Sequence, residues 1–334
     1  MMWTQVESTL DKWRTGDRSL VVGVRLDGEE RFWHRGELPD GASSIFEIGS
    51  ITKVFTATLL ADLVLAGVVA YDDPVARHLP EAPPVQGRPI TLEDLSTHRS
   101  GLPRIPAGML LRGLTVERAD PYASLDDERM LRAIRETAPK RAPGGKFCYS
   151  NYGAGLLGYA LARAAGTTYD RLVADRITGP LKLPDTGVSL PPGADQRLAT
   201  GHRRWGRPAG RWHLAGLAGA GGLVSTAADL LRFLELHSPY ADAPLARAAA
   251  ETARKRYDAN RMMGIGLGWV ILPALEKGPR KARLAHDVLM HDGGTDGYRS
   301  FAAVAPTTGA AVVVLAGHAR SVTGPGLQLI RSVV

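Results

Sequence analysis

The amino-acid sequence predicts an α/β fold of the α+β kind, in which a sheet is assembled from the two ends of the chain and a mainly helical region is inserted between them. Three observations point there. Short β-rich runs gather near both ends, the middle of the chain carries helical periodicity, and both termini read as helices. The expected division is a discontinuous sheet domain of residues 1–70 and 255–334, with residues 71–254 forming a helical subdomain and its loops. A site would lie in the cleft between them.

Taken in order, the first element is an amphipathic helix. The opening Met-Met-Trp-Thr-Gln-Val-Glu-Ser-Thr-Leu-Asp-Lys-Trp-Arg mixes charged and apolar residues and lacks the apolar stretch of a signal peptide. Ser19–Leu26 and Glu30–Arg35 then read as a hairpin about a Gly-containing turn. Helical patterns follow at Ile51–Ala66, Glu128–Thr137, Asn151–Ala165, Tyr169–Ile177 and Thr226–His237, the last opened by a capping box in Thr226-Ala-Ala-Asp229. The second β series comprises Asp287–His291, Tyr298–Ala305 and Ala310–Ala316, the last two joined by Pro-Thr-Thr-Gly. A final helix over Pro325–Val334 is expected beside the first.

Composition narrows the class of function. The 334 residues are 44% hydrophobic, enough for a sizeable core, and carry a net charge of +7. The arginines behind that charge are scattered among acidic residues, so nucleic-acid binding is not expected. No stretch reaches the length of a membrane span. One cysteine, Cys148, excludes an intramolecular disulfide and is compatible with a reducing cytoplasm, the expected compartment.

The chemistry concentrates in three segments. In Phe46-Glu-Ile-Gly-Ser-Ile-Thr-Lys-Val-Phe, Ser50 and Lys53 stand three residues apart where a glycine gives way to a helix. At that spacing the amine reaches the serine hydroxyl, and the helix N-terminus favours an oxyanion beside it. Alone, the pair fits a helix cap and a solvated lysine equally well. The second segment is Pro143-Gly-Gly-Lys-Phe-Cys-Tyr-Ser-Asn-Tyr-Gly, and the third is Leu289-Met-His-Asp-Gly-Gly-Thr-Asp-Gly-Tyr-Arg-Ser-Phe.

A Ser-x-x-Lys followed by Tyr149-Ser150-Asn151 and then by His291-Asp292-Gly293 resembles the penicillin-recognising serine hydrolases: class C β-lactamases, DD-peptidases and class VIII esterases. Leu95-Ser-Thr-His-Arg-Ser-Gly-Leu-Pro103, Pro180-Leu-Lys-Leu-Pro-Asp-Thr186 and Gly221-Gly-Leu-Val-Ser-Thr-Ala-Ala-Asp229 look like that family too, so the resemblance spans about residues 20–317. It implies a β-lactamase/transpeptidase-like fold, with an antiparallel sheet flanked by helices beside an all-helical subdomain. Its wall-active members are usually exported, which argues against cell-wall peptide as the natural substrate of an unexported chain.

Amide or ester cleavage needs a nucleophile, proton carriers, a grip on the substrate and donors for the oxyanion. Ser50 is the candidate nucleophile, with Lys53 and Tyr149 as proton carriers; which of the two takes the serine proton is open at this level. Asn151 offers an amide that both donates and accepts, though it also fits a helix N-cap. The resemblance implies an oxyanion hole made by the backbone N–H groups of Ser50 and Gly294, with Gly293 and Gly294 letting the substrate approach the strand. His291 departs from the lactamases proper, which carry lysine there, and would supply a weaker, pH-dependent charge to substrate. That points toward the peptidase and esterase branches.

Other residues read as structural. His98 shapes a helix end and turn, and Cys148 lacks the partners of a catalytic thiol. Gly144-Gly145-Lys146 is not a phosphate loop, no metal-binding spacing or Gly-x-Ser-x-Gly elbow occurs, and no cofactor is called for. Ile105, Met109, Leu110, Leu111 and Leu114, with the segments around Trp205 and Trp212, are expected to wall an apolar acyl pocket. The expected activity is acyl transfer through an acyl-Ser50 intermediate to water, from a small ester or amide. A transacylase using an amine or alcohol acceptor, and a non-catalytic recognition module, are the competing readings.

Overall fold

The computed structural model describes residues 2–13, 19–107, 109, 120, 122–275 and 283–334. Asp27 and Gly28, both left-handed, close a two-residue turn between β1 (Ser19–Leu26) and β2 (Glu29–Gly36), the geometry that matches strand twist in a hairpin. A short pair, β3 (Phe46–Glu47) with β4 (Val224–Ser225), stands apart from the main sheet. Three strands that the sequence patterns did not signal follow: β5 (Tyr257–Asn260), β6 (Met263–Ile265) and β7 (Val270–Leu272). They are three or four residues long, too short for an alternation to register. The series ends with β8 (Val288–Gly294), β9 (Arg299–Val304) and β10 (Ala311–Ala316).

The eight-stranded sheet has the order β2-β1-β10-β9-β8-β7-β6-β5, with antiparallel neighbours throughout. Strands from the two ends of the chain therefore meet at β1 and β10, as expected. Their side chains alternate between two cores. Val22, Val24, Val312 and Val314 face the terminal helices Met2–Asp11 and Thr323–Arg331 through Val6, Leu10, Leu329 and Ile330. Val21, Val313 and Leu315 face the larger core, which includes the helix Thr52–Leu65. That helix is buried on nearly every side, and its Phe55 stacks on Phe233 at 3.9 Å between ring centroids. Phe233 belongs to the helix Ala227–Glu235, which lies on β1 and β10.

The remaining helices expected from periodicity are present with ends shifted by a few residues: Asp127–Glu136, Asn151–Ala164 and Tyr169–Val173, the last running on into a wider turn over Ala174–Thr178. At Ala227–Glu235 only half of the capping box forms. Thr226 accepts from the Asp229 N–H, while the Asp229 carboxylate receives Asp185 N–H and the Thr186 hydroxyl instead. Among the described residues, no helix is long and apolar enough to cross a membrane.

Candidate active site

Ser50 sits in a single 3-10 turn, Gly49–Ile51, that leads directly into the helix Thr52–Leu65. Lys53, in the first turn of that helix, is only 3% exposed. Its Nζ lies 3.0 Å from Ser50 Oγ, 3.0 Å from Asn151 Oδ1 and 2.6 Å from the carbonyl oxygen of Ala220. Burial lowers its pKa, assisted by the positive charge of Arg104 and opposed by Tyr149 and Asp292. All three partners are oxygens that accept from Nζ, and once Lys53 gives up a proton the direction toward Ser50 becomes the lone pair that can take the hydroxyl proton, with Asn151 and Ala220 holding the other two N–H groups.

Asn151 is free to do this because it is not the cap of its helix. Ser150 is: its Oγ accepts the Gly153 N–H, leaving Asn151 as the first helical residue with its amide turned to the site. Tyr149, two residues before Asn151, presents its ring to two cations, with Lys53 Nζ 5.0 Å and the Arg104 guanidinium 5.4 Å from its centroid. Its other side rests on His98, 4.4 Å between ring centroids.

His98 thereby gains a role that its sequence context only hinted at. It is buried, holds a left-handed φ of 58°, accepts the Ser150 N–H on Nδ1 and takes the Cys148 N–H on its carbonyl. A non-glycine residue in that conformation is strained, and here the strain aims the Tyr149–Asn151 segment at Lys53. Burial, then Lys53, pushes its pKa well below the ordinary histidine value, so the ring is neutral.

The third segment enters on β8. β7 pairs with that strand only as far as Met290, whereas β9 accompanies it to Gly294, so residues 291–294 offer an unpaired edge toward the site. Glycines make the approach possible. A Cβ on Gly293 would stand 2.1 Å from Ile48 O and 3.0 Å from Ser50 N, and one on Gly49 would stand 2.6 Å from Gly294 N. The main-chain N–H groups of Ser50 and Gly294 are thus brought into one recess.

His291 differs from its expected part. It is 5% exposed, lies behind Tyr149 with ring centroids 6.4 Å apart, and its Nδ1 is 2.7 Å from Asp292 O. Burial and the nearby Lys53 pull its pKa down to about 4, so near neutral pH it supplies no charge.

The cleft above Ser50 encloses about 420 Å³ and is lined by Arg104, Tyr149, Asn151, Asp292, Thr295 and Arg299, with Ser321 and Thr323 at its far side. This is a polar, largely cationic mouth, where an apolar one was expected. Ile105 and Met109 pack with the main core, and Trp205 stands out in solvent at 86% exposure. Trp212 is half-buried against Tyr122, while Leu110, Leu111 and Leu114 lie outside the described residues. Arg104 and Arg299 are what motif reasoning missed. Arg299 could have been found from register, since it is the β9 residue opposite Gly294. No group of side chains able to hold a metal occurs among the described residues.

The description of the Beta-lactamase family matches residues 9–325 of this chain. The chain belongs to the β-lactamase family. It is 30% identical over 321 residues to the D-alanyl-D-alanine-carboxypeptidase/endopeptidase AmpH of Escherichia coli strain K12, spanning 89% of this chain and 78% of that one. It is 27% identical to a β-lactamase of Pseudomonas fluorescens, over 89% and 87% of the two chains. Among solved structures, the class C β-lactamase of Rhodobacter sphaeroides superposes with a TM-score of 0.81 at 25% identity, covering 99% and 97% of the chains. The β-lactamase/D-alanine carboxypeptidase of Pseudomonas syringae shares the fold, with a TM-score of 0.82 at 22% identity over 99% and 98% of the chains. This member of the β-lactamase family is a serine hydrolase, working by acyl transfer through a serine.

Proposed function

We propose that Ser50 is the acylated serine and that the chain hydrolyses an amide or ester whose leaving group carries a carboxylate, in the manner of a carboxypeptidase or amidase. One observation carries the reading: a buried Lys53 amine of lowered pKa, 3.0 Å from Ser50 Oγ, with its other hydrogen-bond directions taken by Asn151 and Ala220. Lys53 takes the hydroxyl proton as Ser50 Oγ bonds to the substrate carbonyl carbon, and the carbonyl electrons move onto the oxygen held by the N–H groups of Ser50 and Gly294. Tyr149, between Lys53 and the cleft, passes the proton to the departing nitrogen or oxygen as the bond to it breaks. Water then repeats the sequence on the acyl-enzyme, releasing the acid and the free serine.

The substrate backbone lies along the open edge of β8 and against Asn151. Arg104 and Arg299 hold its carboxylate, a part that neutral His291 cannot play. The relatives named for D-alanyl-D-alanine carboxypeptidase activity support this leaving group over a purely hydrophobic ester.

The test is intact-protein mass spectrometry after exposure to a fluorophosphonate and to a penicillin, with Ser50→Ala alongside. One adduct per chain, absent in Ser50→Ala, is expected; an adduct that persists in the variant would sink the assignment. Hydrolysis of acyl-D-alanyl-D-alanine peptides is expected to exceed that of neutral p-nitrophenyl esters. If turnover requires an added amine or alcohol, the enzyme is a transacylase instead.

A further inference from the structure

We propose that Ser300 is a positioning residue whose hydroxyl ties the strand edge carrying the Gly294 N–H to the turn carrying Ser50, so that the two oxyanion donors keep one spacing. The proposal rests on the reading of Ser50 and Gly294 given above. Ser300 stands on β9 opposite Gly293 and is buried, at 1% exposure. Its Oγ donates to the carbonyl oxygen of Ile48 at 2.7 Å. That carbonyl also accepts the Ile51 N–H at 3.3 Å, the bond that closes the turn Gly49–Ile51 around Ser50. A single oxygen thus receives one bond from within the nucleophile turn and one from the sheet. The Ile48 N–H, meanwhile, is held by Leu223 O at 3.1 Å.

The surroundings of Gly293 show the path this side chain takes. Opposed residues of an antiparallel pair point to the same face, so the Ser300 hydroxyl enters the space that a side chain at position 293 would fill. A Cβ there would collide with both Ser300 Oγ and Ile48 O, and would stand 3.0 Å from Ser50 N. The hydroxyl, the carbonyl it bonds and the Ser50 N–H therefore meet over one glycine, next to the residue that supplies the second oxyanion donor.

The junction matters because the two donors belong to different parts of the fold. Ser50 N–H opens a helix, whereas Gly294 lies on a strand edge four residues beyond the last pairing with β7 and has no side chain to anchor it. Arg299 braces the turn that follows, through the carbonyls of Thr295 and Tyr298, but both of those bonds stay within the sheet edge. The Ser300 bond crosses to the Ser50 turn. Oxyanion donors act only while they converge on one point, and a small misplacement costs rate.

The experiment measures kcat and KM on a p-nitrophenyl ester across pH, the second-order labelling rate with a fluorophosphonate, and the affinity of a phenylboronic acid, whose serine adduct mimics the tetrahedral intermediate. It compares the full chain with Ser300→Ala, Ser300→Cys and Val312→Ala. Ser300→Ala is expected to lower kcat and labelling about tenfold or more with KM within about threefold, and to weaken the boronic acid by the factor lost in kcat/KM. The pH at which kcat/KM levels off should not move, because Lys53 keeps its partners. Ser300→Cys, similar in size but a weak donor, should fall between the parent and Ser300→Ala, and it carries the test if Ser300→Ala does not fold. Val312→Ala, which opens the core under the terminal helices, should lower the melting temperature and leave kcat within about twofold. Parent-like kcat in Ser300→Ala, a loss confined to KM, an unchanged boronic acid affinity, a shifted plateau or an equal loss of kcat in Val312→Ala overturns the proposal. If the parent labels at Ser50 while any of these appears, only the role of Ser300 falls. If the parent does not label there, the reading of Ser50 falls with it.

Discussion

The floor and the mouth of the cleft are built from basic residues treated in opposite ways. On the floor, Lys53, His98 and His291 are all nearly excluded from solvent, and burial drives each toward its neutral form. At the mouth, Arg104 is exposed and Arg299 is half-buried, with a guanidinium that remains charged at any ordinary pH. The difference separates two tasks. Proton transfer needs a basic group that can be empty of its proton near neutral pH, whereas recognition of an anion needs a charge that persists.

The largest expected effect lies on the floor. Lys53→Met should lower kcat by roughly 10³-fold, the scale of a lost proton carrier, while leaving KM nearly unchanged. In the parent, the neutral lysine is the active form and its pKa is lowered, so kcat/KM should rise with pH and level off below the ordinary lysine range. A profile still climbing near pH 10.5 would show that the floor does not neutralise Lys53.

The mouth should give smaller and different losses. Arg299→Ala is expected to raise KM for a carboxylate-bearing substrate about tenfold or more relative to its carboxamide analogue, the scale of a lost charge-assisted hydrogen bond. Arg299 also donates to the carbonyls of Thr295 and Tyr298, so some loss of kcat should accompany it. Arg104→Ala should cost less, and its effect should shrink as salt is added, because it stands in water. Equal losses with the acid and the carboxamide would show that the two arginines do not read substrate charge.

This division also marks where the sequence was readable. Ser50, Lys53, Tyr149 and Asn151 lie in compact local patterns, and the helices that carry them announce themselves by period and cap, so their convergence was legible before any coordinates. What was not legible came from pairing and burial. His291 looked like a source of charge because its motif shows the residue but not the layer of Tyr149 above it. Arg299 lies inside the third segment but outside its motif residues, and it reaches the mouth only through β-register, opposite Gly294. The strands β5–β7 escaped for a simpler reason, since each is shorter than the window over which alternation can be recognised.

The smallest expected effect tests whether neutral histidines belong only to the floor. His237, remote from the cleft in sequence and packing, is fully buried between Phe233 and Trp269, and its Nε2 accepts the Trp269 Nε1–H at 3.2 Å. Burial lowers its pKa to about 4. In the unfolded chain the same ring protonates near 6.5, so stability is fully retained above that pH and is lost progressively as pH falls toward 4. A shift of that size corresponds to roughly 3 kcal/mol, with His98 and His291 adding losses of the same sign. His237→Gln keeps an acceptor for Trp269 but carries no titrating ring, so its melting temperature should fall less between pH 7 and pH 4.5 than that of the parent. Since His237 touches no part of the cleft, its kcat should be unchanged, whereas any substitution that spares His98 or His291 from protonation would alter both. Parallel melting curves for His237→Gln and the parent across that range would place the acid sensitivity on the floor alone and make the neutral-histidine layer a property of the site rather than of the core.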